Sequence, residues 1–153
     1  MQEIEGLVVK FRIAIDEAKK ERRFDRDQRF TNFPRGCCGI TSELLAKFLY
    51  DNGYRKKITY VSATFYDLEL ENPPHAWLVI EENIVLDITG DQFKWYPEPL
   101  RFEEPVYVGP YNQFYNAFEE QLREECGDCR IDNIQYHSFM SRQELYDVIC
   151  EYI

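Results

Sequence analysis

The sequence predicts an α+β fold, with an N-terminal helix and a cysteine-bearing helix packed on a small, mainly antiparallel β-sheet and with further helices at the C-terminus. Two stretches near the N-terminus carry apolar residues at the three- and four-residue spacing of a helix. They are followed by a run of β-branched and aromatic residues and by two short apolar runs that form a hairpin pattern. We expect the 153 residues to form one domain, since a chain of this length can bury a core of its own.

The two helices are separated by a loop. The first helix is predicted over residues 3–21, and its apolar stripe consists of Ile4, Leu7, Val8, Phe11, Ile15 and Ala18. Residues 30–36 contain Pro34 and Gly36 and form the loop. The second helix opens at the cysteine pair, buries Leu44, Leu45, Phe48 and Leu49, and ends at Gly53.

The strands follow in order. The first strand is predicted over residues 57–67. A hairpin is predicted over residues 75–80 and 84–88, with its loop around Glu81-Glu82-Asn83. Residues 90–105 are expected to form an irregular segment packed on the sheet, and residues 105–109 a short strand. Residues 112–125 predict a helix that buries Phe114, Tyr115, Phe118 and Leu122. The capping-box pattern from Ser141 to Glu144 begins the last helix.

Charge and hydropathy narrow the classes of partner. A net charge of -10 argues against binding nucleic acid through a basic surface, and it serves solubility or attraction to a basic partner. The sequence has no apolar run of the length that spans a membrane. Its first residues are acidic before they are apolar, unlike a secretory signal. We therefore expect a cytoplasmic protein with reduced thiols and no membrane partner; the oligomeric state is left open.

One cysteine pair has the spacing of a metal or redox site. Cys126 and Cys129 form a C-x-x-C pattern, and His137 is the histidine that follows them in the sequence. Zinc held by these three side chains is one interpretation. Two ordinary thiols in a turn is the simpler one, because the chain has no second C-x-x-C pattern.

Cys38 is the candidate nucleophile. A thiol in the first turn of a helix lies near free backbone N–H groups and the positive end of the helix dipole, and both stabilise the thiolate. The alternative for any single cysteine is a small buried apolar side chain. The catalytic interpretation gains weight from His75-Ala76-Trp77 and from the acids that follow, Asp87 and Asp91.

A histidine can take the thiol proton, and an acid can then hold the histidine in the right orientation. His75 opens a predicted strand, so its side chain has a defined direction at the end of the sheet. A three-residue loop that pairs Glu81 with Val85 puts Asp87 and Asp91 on the face of His75, whereas a two-residue loop turns Asp87 away. An acid within an apolar strand requires a partner, which favours Asp87. Asp91 is equally well explained as a turn or cap residue.

These residues resemble the transglutaminase-like branch of the papain-type cysteine enzymes over about residues 33–93. Gly36 and Cys38 match its Gly-x-Cys at the start of a helix, and this alignment selects Cys38 over Cys37. The family's His-Ala-Trp matches residues 75–77, and its Asp-Pro-Thr is approximated by Asp87-Ile88-Thr89, where isoleucine replaces proline. The resemblance implies a Cys-His-Asp triad that attacks an amide or thioester through an acyl-enzyme, without metal or organic cofactor, on a peptide or protein substrate.

The resemblance also suggests further site residues. The backbone N–H of Cys38 is the first candidate to stabilise an oxyanion, and the upstream amide of Asn32, or less well Gln28, is a candidate second donor. We place Trp77, Asp91 and Gln92 among the candidate substrate-binding residues. A rival interpretation is an inactive binding module of the same fold, such as an acidic protein that neutralises a partner, with exposed aromatic residues over 93–118 as its surface.

Overall fold

The computed structural model describes residues 1–66 and 71–153. Its helices are α1 (Gln2–Lys20), α2 (Gln28–Thr31), α3 (Cys38–Asp51), α4 (Gln113–Asn116) and α5 (Arg142–Cys150), and Gly90–Phe93 forms a 3₁₀ helix. Its strands are β1 (Ile58–Thr64), β2 (Pro74–Ile80), β3 (Ile84–Asp87), β4 (Tyr107–Pro110) and β5 (Glu119–Glu125). The first strand is shorter than predicted, and its last predicted residue, Asp67, lies outside the described residues.

The strands form one antiparallel sheet in the order β4-β3-β2-β1-β5, which confirms the α+β prediction. The β2–β3 hairpin has a three-residue loop, Glu81 to Asn83. Val79 pairs with Val85, so the predicted pairing of Glu81 with Val85 is wrong by two residues. A shift of two residues keeps every side chain on its face, because strand side chains alternate. Asp87 therefore remains on the face of His75.

The sheet separates two apolar cores. On one face, α1, α3 and α5 pack against Ile58, Leu78, Ile80 and Leu86. On the other face, the segment from Phe93 to Phe118 covers Val61, Trp77, Val79 and Val85. The second core is largely aromatic, and the segment over residues 90–105 packs on the sheet, as predicted, through Phe93, Leu100 and Phe102. A side chain at the end of β2 lies where the helical layer and the aromatic layer meet.

The helix predicted over residues 112–125 is wrong. One helical turn, α4, is followed by β5, which pairs with β1 and forms an edge of the sheet. All seven β5 residues are exposed, including Leu122, which we expected to be buried. Glu, Gln, Leu and Arg favour helices, but pairing with the open edge of β1 satisfies the backbone groups of this segment and overrides that preference.

Arg12 ties α1 to the segment that follows β3. Its guanidinium donates to both carboxylate oxygens of Asp91, at 2.9 and 2.8 Å, and to the backbone oxygens of Ile88 and Pro105, at 2.8 and 2.9 Å. The contact joins the helical layer to the 3₁₀ helix.

Among the described residues, none of the helices has the length and apolar character that crossing a membrane requires.

Candidate active site

Cys38 is the first residue of α3, at the end of the sheet where β2 begins. Gly36 precedes it with φ +74°, a conformation that favours glycine, and so turns the chain into the helix. The neighbouring Cys37 points into the helical core, where burial raises its pKa to about 12. The helix start therefore sends one thiol into the core and leaves Cys38 half-buried beside His75.

Three side chains that are distant in the sequence form one hydrogen-bonded chain. Cys38 Sγ is hydrogen-bonded to the side chain of His75 and to the backbone of Ala76. The other side of the imidazole reaches Asp87, with 2.7 Å between His75 Nε2 and Asp87 Oδ2. Because the carboxylate accepts the Nε2 proton, the neutral imidazole keeps its lone pair on Nδ1, the nitrogen that can take a proton from the thiol.

Asp87 is held by two residues, Thr89 and Tyr115, to which the sequence analysis gave no role at the site. Its Oδ1 accepts from the backbone N–H of Thr89 at 2.9 Å and from the Thr89 hydroxyl at 3.3 Å. Its Oδ2 also accepts from the Tyr115 hydroxyl at 2.8 Å. Thr89 could have been found as a local donor two residues after an acid. Tyr115 could not, because it lies 28 residues further along the chain.

The imidazole of His75 is enclosed by aromatic rings. The ring centroids of Trp77, Phe93, Phe114 and Phe118 lie 5.1 to 6.0 Å from its own. His75 is 1% exposed and Asp87 is 2% exposed. Water is therefore kept from the pair, which strengthens their electrostatic interaction.

Burial and charge act against each other on all three groups. Burial lowers the pKa of His75, but the charge and hydrogen bond of Asp87, together with Cys38, raise it to about 10. Burial raises the pKa of Cys38, but the hydrogen bond and charge of His75 bring it below its ordinary value. Burial also raises the pKa of Asp87, and His75, Thr89 and Tyr115 lower it. The arrangement favours a thiolate–imidazolium pair.

A cleft of about 330 Å³ lies beside the thiol. Its lining includes Gly36, Cys38, Pro73, Gln92, Phe93 and Tyr96. Gln92 is the one predicted substrate-binding residue that lines this cleft. Its Nε2 lies 3.2 Å from His75 Nδ1 and donates to the backbone oxygen of Thr89 at 3.0 Å.

The other predicted site residues have different partners. The Asn32 side chain is exposed, and its amide donates to the backbone oxygen of Gln28 at 3.3 Å. The Asp91 carboxylate is bound by Arg12. Trp77 is fully buried; it packs on His75 and donates to the Tyr111 hydroxyl at 3.2 Å. We therefore assign Asn32 and Asp91 to local structure and Trp77 to the wall behind His75.

The geometry does not support the zinc interpretation, and it buries several of the aromatic residues that the binding-module interpretation placed on the surface. Among residues 1–66 and 71–153, no three His, Cys, Asp or Glu side chains gather as a metal site, so Cys126, Cys129 and His137 do not form one. Burial raises the pKa of Cys126 to about 12. The aromatic residues we expected on the surface over 93–118 are mostly buried, namely Phe93, Phe102, Phe114, Tyr115 and Phe118.

Gly90 should be intolerant of a side chain. A Cβ at this position would lie 2.8 Å from the Phe102 ring and 3.0 Å from Asp87 Oδ2. Phe102 cannot easily withdraw, because it stacks on Phe114 with 4.4 Å between centroids. We expect Gly90→Ala to lower the free energy of unfolding by about 1 to 3 kcal/mol in urea denaturation.

Gly6→Ala is the matched control for Gly90→Ala. Gly6 lies within α1, and a Cβ added there would meet no described atom within 4 Å beyond its chain neighbours and the backbone of its own helix. Alanine is a better helix former than glycine, so this variant should be as stable as the parent or more stable by up to about 1 kcal/mol. If both variants unfold like the parent, close packing behind Asp87 is not needed for stability.

Comparisons with protein-family models, with curated proteins and with solved structures found no match for this chain.

Proposed function

We propose that this protein is a cysteine-nucleophile amide hydrolase or acyltransferase, of the papain and transglutaminase-like kind, acting on a peptide or protein. The observation that supports this most directly is the hydrogen-bonded chain from Cys38 through His75 to a buried Asp87, which opens on a cleft at the thiol. A buried acid and histidine are costly unless they are paired, and here the pair is aimed at a half-buried thiol.

The proposed reaction has two steps. The Cys38 thiolate attacks the carbonyl carbon and forms a C–S bond, while the His75 imidazolium donates its Nδ1 proton to the leaving amine as the C–N bond breaks. Water or a second amine then attacks the thioester and gives its proton to His75, and the C–S bond breaks to release the acid or a new amide and to restore the Cys38 thiolate. Asp87 stabilises the positive charge on His75 throughout and remains ionised.

The oxyanion formed in each step requires donors that are already in place. The start of α3 supplies free backbone N–H groups, that of Cys38 among them, at the positive end of the helix dipole. Asn32, which we expected as the second donor, faces Gln28 instead. Ile88 stands where the family has proline. Asp87 is anchored nevertheless, because Thr89 donates twice to its Oδ1.

Thiol alkylation resolved by residue tests the proposal. The native protein is treated briefly with iodoacetamide between pH 5 and pH 10, and labelling of each cysteine is measured by peptide mass spectrometry. We expect Cys38 to react well below pH 8, because its pKa lies below the ordinary thiol value. Cys126 and Cys150 serve as internal controls, since burial raises the pKa of both thiols.

Cys38→Ala should abolish the labelling at low pH and leave the other cysteines unchanged. An electrophilic peptide trapped on Cys38 would then identify the acyl group that the cleft accepts. Adding a primary amine to a glutamine-containing peptide distinguishes transfer from hydrolysis by the mass of the product. Equal and slow labelling of all accessible cysteines would count heavily against a catalytic thiol.

A further inference from the structure

The amide of Gln92 sits where two donors compete for one acceptor. In the neutral imidazole, Asp87 accepts the Nε2 proton, and Nδ1 has a single lone pair. Gln92 Nε2 lies 3.2 Å from that nitrogen, and the Cys38 thiol is hydrogen-bonded to the same ring. Only one of the two can hold the lone pair at a time.

The orientation of the Gln92 amide follows from its second contact. Nε2 donates to the backbone oxygen of Thr89 at 3.0 Å, and a carbonyl oxygen can only accept. One N–H of the amide is therefore fixed on Thr89, and the other points to Nδ1. The 3₁₀ helix that carries Gln92 is in turn held by Arg12 through Asp91, so the amide is placed by a rigid support.

The contact between Gln92 Nε2 and His75 Nδ1 turns from attractive to repulsive when the thiol proton moves to Nδ1. The nitrogen then carries a hydrogen, and the N–H of Gln92 faces a second donor instead of an acceptor. Gln92 thus stabilises the neutral thiol–imidazole state and opposes the ion pair that Asp87 favours. The ion-pair state leaves this N–H without a partner unless a new acceptor enters the cleft.

We infer that Gln92 is a positioning residue that couples thiol activation to substrate: its N–H holds Nδ1 while the imidazole is neutral and passes to a carbonyl oxygen of the substrate when Nδ1 takes the proton. This inference rests on the proposed function. It adds that the preferred electrophile carries a carbonyl acceptor next to the scissile bond, as a peptide does. The proton only moves from Sγ to Nδ1, so no further reactant is needed.

The other titratable groups around Cys38 and His75 come from several elements. Asp87 lies on β3 and Tyr115 on α4, and both act on His75 through the shared carboxylate. Tyr60 on β1 and Cys37 before α3 interact electrostatically with Cys38. None of these groups is altered by a substitution at Gln92, so a change in Cys38 reactivity there reports on the amide.

Two thiol reagents separate the two roles of Gln92. Methyl methanethiosulfonate has no carbonyl, whereas a peptide aldehyde presents one to the cleft. In Gln92→Met, which keeps the length and removes the donor, the pH midpoint of reaction with methanethiosulfonate should fall by about 0.5 to 1, because the competing hydrogen bond is gone. The rate constant toward the peptide aldehyde should instead fall by about tenfold.

The measured quantity is the rate constant for the peptide aldehyde divided by that for methanethiosulfonate. General loosening of the site would lower both rates together and leave this ratio unchanged. Gln92→Glu, which keeps the size but lacks the N–H, should also lower the ratio and stands in if the methionine variant does not fold. Gln113→Leu, at an exposed position on α4, is the control and should change neither rate.

The outcomes distinguish a failure of the proposed function from a failure of the role inferred for Gln92. If Cys38 of the parent protein reacts no faster than the other thiols, the proposed function fails. If the parent is reactive but Gln92→Met keeps its ratio of rates, the function stands and the role of Gln92 is wrong. A lower ratio with a lower midpoint supports the coupling.

Discussion

Replacing Asp87 with asparagine should remove the reactivity of Cys38 at pH 6. Asp87 supplies the charge that raises the pKa of His75 against the effect of burial. Without that charge, burial keeps the imidazole neutral, and the thiol loses the positive partner that lowers its own pKa. Each pKa unit is a tenfold change in thiolate, so alkylation at pH 6 should slow by about 100-fold.

Turnover should fall further than alkylation in Asp87→Asn. An asparagine amide can donate to Nε2, which places the remaining ring proton on Nδ1, the nitrogen that must accept the thiol proton. Loss of the correct tautomer is expected to reduce turnover by about 10³- to 10⁴-fold. The loss should show in the rate of acyl-enzyme formation measured by mass spectrometry.

Tyr115→Phe is the matched control for Asp87→Asn. It removes one hydrogen bond from Asp87 Oδ2 and leaves the carboxylate charge in place. Reactivity at pH 6 should fall by less than about tenfold, since a single hydrogen bond contributes about 1 kcal/mol. A loss as large as that of Asp87→Asn would mean that hydrogen bonding, and not charge, sustains the ion pair.

The pH dependence of the parent protein follows from the same groups. The proposed activity requires the Cys38 thiolate and the His75 imidazolium together, so we expect it to rise as Cys38 ionises and to fall as His75 loses its proton near pH 10. Because the pKa of His75 is raised above its ordinary 6.5, its pairing stabilises the fold fully below pH 6.5. That contribution is lost as the pH rises through 10.

Arg12→Met should cause the largest loss of stability. The substitution leaves the Asp91 carboxylate, whose side chain is 14% exposed, without its bidentate partner, and it leaves the oxygens of Ile88 and Pro105 without a donor. Breaking a buried ion pair from one side costs about 3 to 5 kcal/mol. Urea denaturation followed by circular dichroism measures this loss directly.

A double variant separates the unpaired charge from the lost packing. In Arg12→Met with Asp91→Asn no buried carboxylate is left alone, so the second change should restore about 1 kcal/mol or more. Arg12→Lys should be intermediate, because an ammonium keeps the charge but cannot bind both carboxylate oxygens. If the three variants are equally stable, Arg12 acts through packing on Phe33 alone.

Local patterns carried most of the fold prediction. Four predicted features depend only on residues that are close in the sequence, and each is present: the apolar stripe of α1, the turn before Cys38, the β2–β3 hairpin and the capping box at Ser141. The face of Asp87 was predicted although the register was not, because a shift of two residues preserves alternation. Residues 119–125 were mistaken for helix because only the edge of β1, distant in sequence, makes them a strand.

The candidate site also combines residues that local sequence identifies with residues that only long-range contacts bring to it. Cys38, His75 and Asp87 could be named because each sits at the start or end of an element that its own sequence specifies. Tyr115 and Arg12 could not be named, since their contacts cross 28 and 79 residues of chain. The role predicted for Asn32 rests on its spacing before the cysteine, which does not specify where a loop amide points, and its amide donates to the backbone oxygen of Gln28.

The thiol of Cys38, the imidazole of His75 and the carboxylate of Asp87 come together only in the folded chain. This determines when Cys38 becomes more reactive than an ordinary thiol. Before β2 and β3 pair, the Cys38 thiol lacks the imidazolium of His75 that lowers its pKa, and in a denatured molecule all five cysteines are ordinary thiols. The effect of His75 on the thiol is thus acquired only when Cys38, His75 and Asp87 come together. Under the proposed function, the thiol is therefore not yet activated during synthesis, when exposed amides are most abundant.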